Sequence, residues 1–427
     1  MMLKRTLIAT SLSLVSLNSL AAAFQLGEHS ASGLGRAFAG DAAVAENASV
    51  IARNPALMAQ FSKAQLSVVA TYIEPDVSLE GVSAPAFTTA SALNDDSIAP
   101  SAFVPAAYYV RPINDKLAFG LGVYSNFGLS TEFNNDYAAG QLAGQTEITT
   151  ANLNASLSYK INEQFSIGGG ISYIYADAKV VRHAGASLPA YLMATYQNTL
   201  GVTNSTEAAN LAGDDFGLGW NVGATYAVSP GHLFGINYRA ATDIKFAGNY
   251  SNQLPAALPG GLAGNSVPGQ LELELPAGAE FSGSHQLNGQ LAVHYSVQWT
   301  DWSSFDKLVA LSGETAVFTK TEEFEDAWRY AIGADYQLNQ DVKLRVGIAY
   351  DNSPSKKHKS ISIPDTNRLW LSTGASYQLD TQSSFDFAVA YLNGEKQTFA
   401  EADNIGSYTF ESEGNALLIS AQYNYQF

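Results

Sequence analysis

The sequence predicts an all-β protein: a transmembrane antiparallel β-barrel of about 14 strands, its lumen plugged by a small, partly helical N-terminal hatch. Three observations carry this. First, Leu287, Gly289, Leu291, Val293, Tyr295, Val297 and Trp299 alternate strictly with Gln286, Asn288, Gln290, Ala292, His294, Ser296 and Gln298. One face is apolar and the other polar, the pattern of a wall between lipid and an aqueous lumen. A soluble sandwich also alternates, but on shorter strands without aromatic ends. Second, Leu417, Ile419, Ala421, Tyr423 and Tyr425 alternate with Leu418, Ser420, Gln422, Asn424 and Gln426, and the chain ends on Phe427. Third, beyond the leader no apolar run approaches the roughly 18 residues of a spanning helix. An apolar exported chain without such a helix spans a membrane only as a closed barrel, in which strands satisfy one another's backbone groups.

In chain order, Lys4 and Arg5 precede a Leu/Ser/Ala-rich run over 7–20 and then Ala21, Ala22 and Ala23. This is the pattern of a secretory signal peptide over 1–23, the mature chain beginning between Ala22 and Phe24. The hatch is expected over 24–63 and the barrel over 64–427. Within the hatch, 41–52 reads as a helix ended by Asn54-Pro55-Ala56, because proline fixes its own φ and restricts the residue before it. Gly27, Gly33 and Gly35 are read as leaving the backbone beside Phe24 mobile.

Tight polar links fall at 112–115, 162–164, 229–232, 338–341 and 379–382. Longer segments fall at 81–98, 134–144, 184–213, 251–268, 303–323, 354–364 and 393–406. Short links at one rim and long loops at the other match an outer-membrane barrel. Residues 308–311 and 316–319 read as two further strands. Both termini lie on one side, so the strand number is even, and 303–323 is expected to be an external loop with its own hairpin.

Composition excludes several functions. Charged residues are only 14% of the chain and aromatics 11%, with a net charge of -17. Nucleic acid is not an expected partner, because phosphate binding needs clustered Lys and Arg. The chain has no cysteine, hence neither a disulfide framework nor a thiolate metal site. The six histidines are scattered, so neither metal nor other cofactor is expected. Gly33-Leu34-Gly35 continues to Phe38 without the third glycine of a dinucleotide loop, and no Gly-x-Ser-x-Gly elbow occurs. His294 and Ser296 share a lumenal face, which leaves an outer-membrane lipase conceivable only if the pair is hydrogen-bonded and oriented by a third group. The expectation is a non-enzyme.

Residues 24–56 contain Gly33-Leu34-Gly35-Arg36-Ala37 and close on Asn54-Pro55-Ala56. This stretch resembles the N-terminal region of the FadL-type outer-membrane long-chain fatty-acid transporters. Tyr72-Ile73-Glu74-Pro75-Asp76-Val77 resembles that family's first strand, Ser125-Asn126-Phe127-Gly128-Leu129 its third, and Ser360-Ile361-Ser362-Ile363-Pro364-Asp365 a late segment. The resemblance covers essentially the whole mature chain. It implies a fourteen-stranded barrel with a hatch in the outer membrane of a Gram-negative bacterium. It further implies passive uptake of long-chain fatty acids, with no energy source coupled within the chain. The implied surroundings are outer-membrane lipid and lipopolysaccharide, and Phe427 resembles the terminal signature read by the barrel-assembly machinery. Import of other hydrophobic compounds, such as aromatic hydrocarbons, is the second reading; a lipase and a structural or receptor barrel come after it.

Site residues follow partly from chemistry and partly from the resemblance. Leu254, Leu258 and Leu262 make an outer loop unusually apolar, and Leu188, Tyr191, Leu192, Met193, Tyr196 and Leu200 do the same for another. Such loops either capture ligand or pack on each other; in the family they form a first, weaker groove. Arg182 shares parity with Ser172, Ile174, Ala176, Ala178 and Val180, opposite Ile171, Tyr173 and Tyr175. It is expected to face inward near the external end, holding a carboxylate bidentately or closing a lumenal ion pair. Lys320 matches a basic residue that the family uses with that arginine, unless Glu322 and Glu323 neutralise it. Phe24 matches the aromatic residue that inserts toward the internal pocket. Ser125, Asn126, Phe127 and Gly128 mark the kinked strand that opens the wall laterally, or merely a contour that glycine fits. Lys356, Lys357, His358 and Lys359 read as a solvated loop, and Asp351 as a lumenal polar residue of unassigned partner.

Overall fold

The structure, a computed structural model, describes residues 23–186, 195, 197–403 and 406–427. The expected leader, and with it the choice of cleavage site, lies outside them, as do Leu188, Tyr191, Leu192, Met193 and Tyr196. Among the described residues fourteen wall strands close into an antiparallel barrel. They are β1 (Gln65–Ser83), β2 (Ala102–Pro112), β3 (Leu117–Tyr124, resumed at Gly128–Glu132), β4 (Gly144–Lys160) and β5 (Phe165–His183). There follow β6 (Glu207–Ser229), β7 (His232–Arg239 and Thr242–Ser251), β8 (Ser266–Leu275 and Gly278–Gln286) and β9 (Leu291–Thr300, extended by Lys307–Ser312). The last are β10 (Thr315–Thr321 and Ala327–Gln337), β11 (Val342–Asp351), β12 (Arg368–Gln378), β13 (Ser383–Gly394 and Gln397–Ala402) and β14 (Ser407–Gln426). β14 closes onto β1, with Gln65 opposite Gln426 and Ile73 opposite Leu418.

Period-two alternation decides which way each side chain points. On β5, Ser172, Ile174, Ala176, Ala178 and Val180 are buried while Ile171 and Tyr173 are exposed. On β14, Leu418, Ser420 and Gln422 are buried and Leu417 and Ile419 exposed. The exposed residues Leu218, Ile332, Val346 and Leu371 belong to the same outward apolar surface, which only lipid covers favourably.

Two wall expectations are corrected. Residues 286–299 are not one strand: Asn288 Oδ1 accepts from Gln290 N at 2.9 Å and Leu291 N at 3.0 Å, closing a turn between β8 and β9. A turn of four residues preserves parity, so the alternation ran through it, although Asn-Gly is itself a hairpin signal. The hairpin expected in 303–323 exists, but it is wall rather than free loop. Its strands extend β9 and β10, and Gln270 and Leu271 of β8 pair with Leu311 and Ala310.

The N-terminal segment lies inside the barrel. Ser30 Oγ accepts from Gly33 N at 3.0 Å and caps α1 (Ala31–Leu34). The helix expected over 41–52 is reduced to α2 (Val50–Arg53). Its backbone donors are used elsewhere: Ala42 N reaches Glu280 and Ser282, Ala48 N reaches Ser67, and Asn47 Oδ1 takes both Ser49 N and Ser49 Oγ. Side-chain and wall acceptors thus outcompete the helical ladder.

The segment touches the wall where the wall lacks side chains. A Cβ on Gly168 would lie 2.5 Å from Ala56 N, on Gly223 2.0 Å from Asn54 Oδ1, on Gly235 1.8 Å from Ala42 O, and on Gly347 2.1 Å from the Arg36 carbonyl. Gly33 and Gly35 are also spacers and not hinges, since a Cβ at Gly33 would meet Ser30 Oγ at 2.6 Å and one at Gly35 would meet Gly374 Cα at 3.1 Å. Neither has positive φ.

Candidate functional site

A continuous buried apolar cluster fills the lumen beside the start of the N-terminal segment. Phe24, Phe127, Ile148, Ile174, Ile244 and Phe246 meet Leu273, Leu275, Trp302, Phe305, Leu308 and Phe324 there, all buried. Phe24 is its floor: its ring lies 4.5 Å from Trp302 and 5.6 Å from Phe305, both edge-on, and 6.0 Å from Phe127. Edge-to-face packing favours these rings beyond their burial alone, by about 0.5–1.5 kcal/mol per pair. Phe318, from the β9–β10 hairpin, packs against the same cluster.

Charge stands at the outer margin. Arg182 is buried, with its guanidinium 5.6 Å over the Phe318 ring. It donates to Gln145 O at 3.1 Å, Val181 O at 2.8 Å and Thr146 Oγ1 at 3.1 Å. All three acceptors are neutral, so the cation has no ion pair among the described residues. Lys320 is different. Its partner is Glu401 on β13, not the adjacent Glu322 or Glu323 that the sequence offered. Glu322 is wholly buried with neither carboxylate oxygen hydrogen-bonded. Burial, and to a lesser degree Glu401, push its pKa up to about 8 against the opposing pull of Lys320 and Arg182. At neutral pH Glu322 therefore keeps its proton beside Lys320 and Arg182.

The structure brings Phe24 and the third strand's interruption into one contact. Gly128 N donates to Phe24 O at 2.9 Å and Leu26 N to Asn126 O at 2.7 Å, with Gln25 bridged opposite Phe127. His29 Nε2 lies 3.0 Å from both Ser125 O and Asn126 Oδ1. Burial holds His29 well below its usual pKa, so it is neutral, and two acceptors facing Nε2 place the proton there. The β2–β3 ladder stops at Ala107 opposite Val123, whereas β1–β2 pairing continues to Ala102. Among the described residues, 102–106 have no β3 partner, so the wall's ladder is open beside the interruption.

Asn54, Pro55 and Ala56 belong to a separate contact. Asn54 is fully buried; its Nδ2 donates to Ala42 O at 2.7 Å and Ala224 O at 3.2 Å, while Oδ1 accepts from Ala56 N at 3.1 Å. Leu262 packs in an outer apolar cluster with Val180, Leu271 and Phe318, close to Arg182. Leu254 and Leu258 stay half-buried within their loop and outside that cluster. Asp351 finds a partner in Arg368 at 3.6 Å.

Ser296 Oγ bonds to Glu280 at 3.0 Å and Ser282 at 2.7 Å, and His294 Nδ1 to Ser284 at 3.0 Å. They serve different partners, so the pair forms no nucleophilic dyad.

Sequence reasoning missed the ionic cluster that ties the N-terminal segment to the wall. Arg36 Nη1 reaches Glu46 at 2.9 Å and Asp335 at 3.3 Å, and Glu46 also binds Lys343 at 2.7 Å and Arg345. Burial opposes the charge on Glu46, but Arg345, Lys343 and Arg36 hold its pKa well below the usual range. Inward parity on β10 and β11 was the available signal for Asp335 and Arg345; nothing in the sequence paired them with Glu46.

Comparison with known proteins follows this geometry. A family model described as "Outer membrane protein transport protein (OMPP1/FadL/TodX)" matches residues 12–427. A long-chain fatty acid transport protein of Escherichia coli O6:H1 is 40% identical, over 99% of this chain and 98% of its own. A 47 kDa outer membrane protein of Pasteurella multocida is 42% identical over the same shares. The fold matches the crystal structure of a Pseudomonas aeruginosa FadL homologue with TM-score 0.83 at 24% identity, covering 95% of this chain and 100% of that one. The chain belongs to the OMPP1/FadL/TodX family and is an outer-membrane β-barrel transporter of hydrophobic compounds, not an enzyme.

Proposed function

We propose that this protein takes up long-chain fatty acids passively. The observation that carries the reading is one buried apolar cluster with a guanidinium free of ion pairs among the described residues, Arg182, at its outer margin and Phe24 of the hatch at its floor. A fatty acid presents the same polarity: an anionic head and a long apolar tail. The outer loops, including Leu254, Leu258 and Leu262, collect it; the tail enters among Phe305, Trp302 and Ile244; the carboxylate takes charge-assisted hydrogen bonds from Arg182, with Lys320 beside it. Entry of the tail displaces Phe24, and displacement of Phe24 pulls on the residues it bridges, Phe127 and Gly128. The ligand then leaves sideways where β2 and β3 are unpaired. Lateral release conserves the apolar burial of about 0.8 kcal/mol per methylene that a watery exit would forfeit. Residues 24–63 act as the hatch, and Asn54-Pro55-Ala56 as its fixed end.

Deletion of the gene is expected to slow long-chain fatty-acid uptake, restored by the intact chain. In purified protein, Arg182→Ala is expected to weaken fatty-acid binding by roughly tenfold or more, the worth of a charged hydrogen bond, while binding of an uncharged hydrocarbon is unchanged. Equal loss for both ligands rules out the head-group role; unaffected uptake on deletion, in a strain without a related transporter, rules out the substrate.

A further inference from the structure

A second cation sits against the aromatic floor of the apolar cluster. Arg239 ends the lower segment of β7, where the strand breaks before Thr242. Its guanidinium lies 4.9 Å over the Phe127 ring. Phe127 in turn touches Phe24; this pair of rings is the partition that a ligand passing from the apolar cluster to Arg239 would meet. Arg239 Nε and Nη2 are shielded from solvent with no hydrogen-bond partner, and no carboxylate among the described residues lies within ion-pair distance. A cation–π contact offsets only part of the cost of withdrawing a charge from water. A buried unpaired donor that the fold tolerates is a place for an absent acceptor.

The space for such an acceptor exists. A cavity of about 690 Å³, counting its open mouth, is lined by Tyr124, Asn126, Ser172, Asn221, Asn237 and Arg239, within the size range of ligand sites. The other charged residues of its lining cancel: Arg53 lies 3.6 Å from Glu280, and His29 is neutral. The net charge facing the cavity is that of Arg239. The cavity also adjoins three of the wall's interruptions. Tyr124 and Phe127 flank the break in β3, and Thr242, Leu275 and Gly278 flank those in β7 and β8. At its margin the exposed rings of Trp220 and Tyr238, 5.5 Å apart, face the lipid side.

Resting on the fatty-acid reading above, we propose that Arg239 is a second carboxylate station, which holds the ligand's head group after the ligand has passed the Phe24–Phe127 partition and before it leaves the wall. Arg182 receives the carboxylate from outside; Arg239 takes it over within the barrel. A tail that leads through the partition needs such a partner, because the carboxylate following it would otherwise cross Phe127 with no counter-charge.

The test is photolabelling of the purified full-length protein with a long-chain fatty acid carrying a diazirine beside its carboxylate, against the matching fatty alcohol. The wild type is expected to be labelled by the acid both near Arg182, around Thr146, and in segments 124–127 and 237–242. Arg239→Met should reduce the second set by about tenfold or more and leave the first unchanged, which also shows the variant folded; Arg239→Lys should restore part of it. The alcohol should be indifferent to both variants. Labelling of 124–127 and 237–242 that persists in Arg239→Met, or a wild type labelled around Thr146 alone, overturns the station. A wild type labelled by the acid in neither region overturns the fatty-acid reading, and the station with it.

Discussion

Residues 24–29 and residues 36–56 lie in the same lumen, both buried, and are held by unlike chemistry. The first group has two backbone hydrogen bonds to the broken part of β3, which together make the Gln25–Phe127 bridge, one histidine on the same break, and a set of aromatic edges. No member forms an ion pair among the described residues. The second group has Arg36 and Glu46 interlocked with Asp335, Lys343 and Arg345 of the wall, and Asn54 satisfied on three sides. Backbone in this group sits directly on the wall glycines 168, 235 and 347, and the Asn54 side chain on Gly223. The difference teaches which end of a segment enclosed by a barrel is the easier to displace. Aromatic edges re-form against an apolar tail at little cost, whereas a buried charge that loses its partner finds no replacement in a lipid ligand.

The sharpest way to break this comparison is Arg36→Met. It leaves Glu46 and Asp335 short of a cation and is expected to cost about 3–5 kcal/mol, read as a lowered unfolding midpoint in detergent; an unchanged midpoint means the cluster holds nothing. Asn54→Ala is next, at about 1–3 kcal/mol, because Ala42 O and Ala56 N lose their buried partner. Phe24→Ala should act locally. Amide exchange at Leu26 and Gly128 is expected to quicken about tenfold while that at Ala56 and Leu57 stays the same, and equal acceleration at both ends would erase the distinction drawn here.

The smallest effect concerns the outer margin. Glu322, raised to about 8 by burial, keeps its proton at neutral pH. As pH rises through about 8 it adds a negative charge beside Arg182 and Lys320, so fatty-acid binding should weaken there, and Glu322→Gln should flatten the profile. The folded state holds a proton that the unfolded chain releases near the usual glutamate value of about 4.3. This group's contribution to stability therefore falls between that pH and about 8.

Much of the barrel was legible because alternation and turn chemistry are local. The inward parity of Arg182 needed only its neighbours on β5, and five of the tight links announced themselves by composition. Asn288-Gly289 was misread because a parity-preserving turn hides inside a period-two pattern. The helix expected over 41–52 failed for the opposite reason: local propensity was overridden by acceptors on Ser67, Glu280 and Ser282, residues that come near only when the barrel closes. Lys320 was seen, but its partner Glu401 lies on another strand.

By itself the sequence determined the strands, their facing, their even number and the polarity of each surface, since these depend on residues a few positions apart. Only the tertiary structure decided that Phe24 is bonded to the break in β3, that wall glycines receive the N-terminal segment, and that Arg182 and Arg239 lie over Phe318 and Phe127, two rings that meet in one apolar cluster. Those facts join residues separated by up to several hundred positions, and no local pattern encodes which of many inward side chains will meet once the sheet curls shut.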